Sequence, residues 1–131
     1  MLIETPALLI TDDDEDFRET LREVFAPRGF RTLLAADGEE AIGILHREPV
    51  HLWLLDMHMP RLTGLQTIDR ARELRATIPW ILLSAALDDQ IIEAARKAEA
   101  FSVLPKPVRF AEITRVVREA LRAAYDWTPN E

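Results

Sequence analysis

Five short apolar runs recur along the 131-residue chain, and each ends at a polar residue, a proline or another turn signal. An uninterrupted apolar run of this length is typical of a strand that is buried on both faces of a sheet. The runs therefore predict five strands, at residues 7–11, 30–35, 52–56, 79–84 and 101–104.

Apolar residues at helical spacing, with charged residues between them, separate these runs and follow the last one. Aspartates at the start of several of these segments can cap a helix, and prolines or glycines follow some of their ends. Inward-facing positions of the third and fourth helices are predicted at Leu65, Ile68, Ala71, Leu74, Ile91, Ile92, Ala95 and Ala98. Regular alternation of strand and helix predicts an α/β fold, a doubly wound parallel sheet with right-handed crossovers and helices on both faces.

Composition narrows the class of protein. A hydrophobic content of 48% and a charged content of 30% fit a single globular domain, which we place at residues 1–124. Residues 125–131 are expected to form a frayed tail or the start of a linker. The net charge of −7 argues against direct nucleic-acid binding, because phosphate contacts need clustered Lys and Arg.

Location and redox chemistry follow from the same sequence. The absence of cysteine removes disulfides, thiolate nucleophiles and cysteine-ligated zinc. The first residues lack the basic region of a signal peptide, and no apolar stretch approaches the length of a membrane span. We therefore expect a cytoplasmic protein that does not bind membranes.

Polar residues follow the predicted strands at the points where the strands end. Asp12 and Asp13 follow the first strand, Asp56 ends the third, Ser84 ends the fourth, and Lys106 follows the fifth. In a parallel sheet all the carboxyl ends meet at one edge, where open α/β sheets bind their ligands. The sequence therefore predicts a shared polar cleft at this edge.

The chemistry of the cleft favours phosphoryl transfer. Two carboxylates about 5 Å apart repel each other by roughly 3 kcal/mol at an effective dielectric near 20, and a divalent cation relieves that repulsion. Mg²⁺ prefers a site with few carboxylates, several waters and a phosphate oxygen. A hydroxyl and an ammonium beside such a site can hold phosphoryl oxygens, which makes Asp56 the natural nucleophile for an acyl phosphate.

Four motifs, LLITDDDED, LLDMHMPRLTG, ILLSAA and LPKP, occur here in the order and spacing of a known family. Over about residues 7–124 the chain resembles the receiver domain of bacterial two-component response regulators. The resemblance implies a flavodoxin-like (βα)5 fold with strand order 2-1-3-4-5. It also implies that Asp56 is the phosphoacceptor, which takes its phosphoryl group from a sensor histidine kinase or a histidine phosphotransfer protein.

The resemblance also implies a metal site and a switch. Mg²⁺ (or Mn²⁺) would be held by Asp13, Asp56 and the backbone carbonyl of His58, with Asp12 acting through water. The Ser84 position is that of the switch hydroxyl, and the Lys106 position is that of the phosphoryl contact.

The rest of the resemblance concerns partners and activity. The bond between Lys106 and Pro107 is cis in relatives. An unknown output domain or protein would bind the face formed by helix 4, strand 5 and helix 5. The protein would not be an enzyme in the ordinary sense, although it would catalyse its own phosphotransfer and autodephosphorylation.

Val103 and Glu99 depart from the family pattern, and two further positions bear on phosphoryl hydrolysis. Val103 replaces the Tyr or Phe that rotates inward on activation in relatives. Glu99 replaces a glycine that often ends the fourth helix, so we expect a differently built turn, since a left-handed Glu costs about 1 kcal/mol. His58 and Ala86 occupy positions that tune phosphoryl hydrolysis in relatives. As isolated histidines, His58, His46 and His51 fit no catalytic or metal spacing and are expected to be packed or partly exposed.

Alternative functions remain at this point. A Mg²⁺-dependent phosphatase of the haloacid dehalogenase type would use Asp12 as nucleophile in the Asp12-x-Asp14 motif, but Asp16 stands where that motif has Thr or Val. A receiver that binds partners without ever taking phosphate is a second alternative. A calcium loop starting at Asp12 fails, because Phe17 stands where the loop needs glycine.

Overall fold

A parallel sheet of five strands forms the centre of the structure, a computed structural model that describes residues 3–129. The strands are β1 (Ala7–Thr11), β2 (Arg31–Ala35), β3 (Leu52–Asp56), β4 (Trp80–Ser84) and β5 (Ser102–Pro105). Their spatial order is β2-β1-β3-β4-β5, which confirms the predicted topology. Relative to the apolar runs, β2 and β4 begin one residue later and β5 is displaced by one residue.

Five α-helices connect the strands and close the chain. They are α1 (Glu15–Phe25), α2 (Gly38–Arg47), α3 (Gly64–Arg70), α4 (Asp89–Lys97) and α5 (Phe110–Tyr125), and a short 3-10 helix (Ala26–Arg28) follows α1. Asp14, Asp37 and Asp88 cap α1, α2 and α4 by accepting backbone N–H groups of the first turn. Thr63 and Gln66 form a reciprocal capping box at α3.

Helices cover both faces of the sheet, so the sheet lies between two apolar layers. Leu8, Leu54 and Leu83 belong to the layer that contains the buried side of α5, whereas Leu9 and Leu55 belong to the layer that contains Ala41, Ile68 and Ala95. Every side chain of β1, β3 and β4 is buried. Because the strand interiors are apolar on both faces, polar chemistry is confined to the strand ends.

Two predicted inward positions are wrong. Ile92 is 45% exposed, because α4 packs through Ile91, Ala95 and Ala98, and the next residue along a helix points about 100° away. Leu74 lies outside α3 and is exposed, because that helix ends at Arg70. The Ile68 carbonyl, which a longer helix would pair with a backbone N–H one turn later, instead accepts the Nε–H of Arg75 at 2.9 Å.

The turn after α4 contradicts the expectation of a different construction at Glu99. Glu99 adopts a left-handed conformation with φ of 67°, as a glycine would. The N–H of Glu99 donates to the carbonyl of Arg96, and the N–H of Ala100 donates to that of Ala95, at 3.0 and 2.9 Å. This pair of bonds is the Schellman arrangement, and it compensates for the steric cost of a side chain at the left-handed position.

We therefore expect Glu99→Gly to raise the free energy of unfolding by about 1 kcal/mol, because glycine pays no Cβ penalty at this conformation. Urea denaturation at neutral pH measures the change. Glu99→Ala is the control that keeps Cβ and removes the charge. A gain of equal size in the alanine variant would assign the effect to the carboxylate rather than to the backbone.

The C-terminal segment packs more closely than predicted. Trp127 is buried, and the centroid of its ring lies 5.4 Å from that of the Phe30 ring. The backbone N–H of Trp127 donates to the carbonyl of Leu121. The hydroxyl of Tyr125 donates to the carbonyl of His51 at 2.7 Å. Trp127, within the predicted tail of residues 125–131, therefore packs against the domain, because its large apolar ring gains more from burial than the backbone loses in freedom. The division of the chain at residue 124 stays a prediction.

Candidate functional site

An acidic pocket lies at the carboxyl edge of the sheet. Carboxylate oxygens of Asp12, Asp13 and Asp56 all lie within 4.8 Å of one another. Asp12 and Asp56 are only 1% and 4% exposed, whereas Asp13 is exposed. The three come together because β1 and β3 are neighbouring parallel strands that end at the same height.

Backbone contacts hold the two buried acids in place. The N–H of Asp12 donates to the carbonyl of Ala35, and the guanidinium of Arg18 donates to the Asp12 carbonyl at 2.7 Å. Gly64 lets the loop after β3 fold closely back, since a Cβ there would lie 2.5 Å from the carbonyl oxygen of Asp56. Its N–H donates to the carbonyl of Met57 at 2.9 Å, which fixes the loop over the strand end.

The ammonium of Lys106 connects the buried acids. Its Nζ lies 2.6 Å from Asp12 Oδ2 and 3.2 Å from Asp56 Oδ1. The backbone N–H of Lys106 donates to the carbonyl of Ser84, which aligns the end of β5 with that of β4. The Lys106–Pro107 bond is cis, as in the family that the sequence resembles.

One ammonium does not balance three carboxylates, and the titration behaviour of the pocket reflects this. Burial, followed by the charge of Asp12, raises the pKa of Asp56 above its ordinary value, and Lys106 only partly opposes the shift. For Lys106, burial acts to lower the pKa, but its interactions with Asp12 and then Asp56 outweigh burial and raise it. The ammonium is therefore charged at neutral pH, and the Asp56 carboxylate carries an electrostatic penalty.

This donor set fits a hard divalent cation. All three side chains offer carboxylate oxygen, which Mg²⁺ and Mn²⁺ prefer over nitrogen or sulfur ligands. A cation would also relieve the repulsion that Lys106 leaves uncompensated. Within residues 3–129 this is the one group of three or more acidic or histidine side chains close enough to hold a metal ion.

Phe17 contributes to the pocket in a way that the sequence did not predict. The Lys106 ammonium lies 4.3 Å from the centroid of the Phe17 ring, within the range of a cation–π contact. Phe17 follows Asp13 by four residues, about one helical turn, and this spacing was the available signal. The aromatic face restricts where the ammonium can lie and so helps to hold it over Asp12 and Asp56.

Ser84 is buried at the end of β4, and its hydroxyl has two hydrogen-bond partners among the described residues. Its Oγ accepts the N–H of Ala86 at 3.2 Å and lies 3.0 Å from Nε2 of His58. From the sequence, the resemblance gave His58 a backbone carbonyl in the metal site and a position that tunes phosphoryl hydrolysis in relatives, but no spacing signal indicated a contact with Ser84. The structure places its imidazole against the predicted switch hydroxyl.

The geometry also disfavours the alternatives that need Asp14 as a ligand or acid. The Asp14 carboxylate accepts the N–H groups of Asp16 and Phe17 at 3.0 and 3.3 Å and thereby caps α1. A phosphatase of the haloacid dehalogenase type and a calcium loop both need this side chain for chemistry. The Asp14 carboxylate instead caps α1.

Comparison with known proteins identifies the family. A family model described as the response regulator receiver domain matches residues 8–118. Transcriptional regulatory protein CpxR of Klebsiella pneumoniae is 32% identical over 124 residues, which cover 95% of this chain and 52% of CpxR. Transcriptional activator protein PfeR of Pseudomonas aeruginosa is 39% identical over 113 residues, which cover 85% of this chain and 36% of PfeR.

A solved structure gives the same result. The crystal structure of a response regulator receiver protein from Pseudomonas putida superposes with a TM-score of 0.85 at 27% identity, covering 90% of this chain and 99% of that one. The chain belongs to the receiver domains of two-component response regulators, which signal by phosphorylation. It spans about half or less of the length of the first curated relatives that it matches. No helix within residues 3–129 has the length and apolar character to cross a membrane.

Proposed function

We propose that Asp56 accepts a phosphoryl group in a reaction that this domain catalyses for itself and later reverses by hydrolysis. The observation that supports the proposal is the meeting of Asp12, Asp13, Asp56 and Lys106 in one pocket. The carboxylate oxygen of Asp56 can act as the nucleophile that forms an acyl phosphate, and an ammonium beside it can hold phosphoryl oxygens.

Mg²⁺ or Mn²⁺ would be held by Asp13, Asp56 and the backbone carbonyl of His58, with Asp12 acting through water. When bound, the metal would supply charge neutralisation for the phosphoryl oxygens. The side chains of the protein itself carry out the transfer. An oxygen of Asp56 attacks phosphorus while the bond between phosphorus and the donor's imidazole nitrogen breaks, so that the donor histidine leaves. Lys106 holds the developing charge, and the Ser84 hydroxyl donates to the phosphoryl group once it is attached.

The proposed phosphodonor is a sensor histidine kinase or a histidine phosphotransfer protein, and a cytoplasmic location goes with it because such kinases draw the phosphoryl group from ATP. The proposed output face comprises α4, β5 and α5. Three large apolar side chains on this side are exposed, Ile92 at 45%, Phe101 at 40% and Phe110 at 47%. Exposed apolar residues of this size suit a protein partner.

Chemical phosphorylation tests the proposal without the cognate kinase. Metal-free protein is incubated with acetyl phosphate, with Mg²⁺ or with excess EDTA, and intact mass is measured over time. We expect one phosphoryl adduct per chain with Mg²⁺, and loss of the adduct during further incubation. Failure to form the adduct with Mg²⁺, or equal labelling in EDTA, would contradict the proposed function.

A further inference from the structure

The hydroxyl of Ser84 has two close polar contacts inside the domain. Its oxygen accepts the N–H of Ala86, and it lies 3.0 Å from Nε2 of His58, which accepts the hydroxyl proton when the imidazole carries its own proton on Nδ1. We propose that His58 is a positioning residue that holds the switch hydroxyl in its unphosphorylated arrangement, so that phosphorylation must break this bond. The proposal rests on the proposed function of Asp56 and assigns a regulatory role at the same site.

The competition follows from the chemistry of a hydroxyl group. Serine has one O–H proton and can donate only one hydrogen bond at a time. A proton donated to His58 is unavailable to a phosphoryl oxygen. The hydrogen bond to His58 and the hydrogen bond to a phosphoryl oxygen therefore exclude each other. Any free energy that stabilises the bond to His58 lowers the affinity of the site for the phosphoryl group by the same amount.

The chain brings His58 to this position through the pairing of β3 with β4. The N–H of Met57 donates to the carbonyl of Leu83 at 2.8 Å. This bond continues the β3–β4 hydrogen-bond ladder up to the residues that precede His58 and Ser84. His58 itself is exposed, whereas Ser84 is buried. The exposed imidazole can therefore swing into solvent when the bond breaks, while the serine stays inside the domain. This asymmetry makes the contact reversible.

The test measures affinity for fluoroberyllate, a phosphoryl mimic that does not hydrolyse, in the presence of saturating Mg²⁺. Binding is followed by amide NMR, with the Ala86 resonance as the local reporter of Ser84. We expect His58→Ala to bind the mimic about fivefold more tightly, the factor that one hydrogen bond of typical net strength gives.

Three further variants separate this role from others. His58→Gln keeps an acceptor at the end of the side chain and should remain close to wild type. His46→Ala, at an exposed histidine near the end of α2, should not change the affinity. In a Ser84→Ala background, His58→Ala should have no effect, because the hydroxyl that it holds is gone.

Equal affinity of wild type and His58→Ala would overturn the proposal, and so would tightening that persists in the Ser84→Ala background. Wild-type protein that fails to bind fluoroberyllate would instead contradict the function of Asp56. The two failures are therefore distinguishable.

Discussion

Asp56→Asn is expected to abolish phosphoryl labelling and, at the same time, to stabilise the metal-free protein. The amide lacks the nucleophilic oxygen, so intact mass should show no adduct with acetyl phosphate and Mg²⁺. Removing the buried charge relieves its repulsion by Asp12 and Asp13 at the loss of one contact with Lys106. We expect a net gain on the order of 1 kcal/mol in the free energy of unfolding.

The gain should depend on pH in a defined direction. Burial and the charge of Asp12 raise the pKa of Asp56 in the folded state, so the folded protein binds a proton more readily than the unfolded chain does. The contribution of Asp56 to the free energy of unfolding therefore falls as pH rises from the ordinary carboxyl pKa of about 3.9 through the raised value of the folded state. The advantage of Asp56→Asn should be small below that window and full above it.

Urea denaturation in EDTA across this pH range measures the difference between the two proteins. Asp89→Asn, at an exposed acid in the first turn of α4, is the matched control and should label normally. An advantage that does not change with pH would show that the charge of Asp56 is not its source. Stable labelling of Asp56→Asn would remove this residue from the phosphoacceptor role.

Lys106→Met should slow phosphorylation by roughly 10²-fold while leaving metal binding in place. Methionine keeps an aliphatic side chain over the Phe17 ring and removes the charge that faces Asp12 and Asp56. With these buried carboxylates left without their cation, the metal-free protein should lose about 3 kcal/mol of stability. Mg²⁺ should restore part of that loss, because it supplies positive charge to the same pocket.

Lys97→Met tests whether these effects belong to the site. Lys97 is the other lysine of the chain and is exposed on α4. Its substitution should leave labelling rate, Mg²⁺ affinity and metal-free stability close to wild type. Loss of Mg²⁺ binding in Lys106→Met would indicate that Lys106 supports the fold of the pocket rather than the phosphoryl group.

The fold was predictable because burial on both faces leaves a simple trace in the sequence. Strands such as Leu52–Asp56 appear in the sequence as apolar runs that end at a polar residue. Because the strands are parallel, these polar residues all lie at the carboxyl edge of the sheet. This reasoning placed Asp12, Asp56 and Lys106 in one pocket before any distance was known. The prediction depends only on the positions of the apolar runs and on the right-handedness of the crossover connections.

The features that escaped prediction depend on contacts between distant residues or on balances of about 1 kcal/mol. Helical periodicity alone did not decide that Ile91 rather than Ile92 would face the sheet. The left-handed Glu99 is tolerated because two backbone bonds offset its cost. The contacts of Phe17 with Lys106 and of His58 with Ser84 join separate elements, and no spacing rule connects them.

The most direct test of the account is to identify the residue that carries the phosphoryl group. Protein labelled with acetyl phosphate and Mg²⁺ is reduced with borohydride, which converts an aspartyl phosphate to homoserine, and peptide mass spectrometry then locates the product. We predict homoserine at position 56 alone, and its absence when Mg²⁺ is replaced by EDTA. Homoserine at position 12, or no reduced residue in labelled protein, would contradict the assignment of Asp56 as the phosphoacceptor.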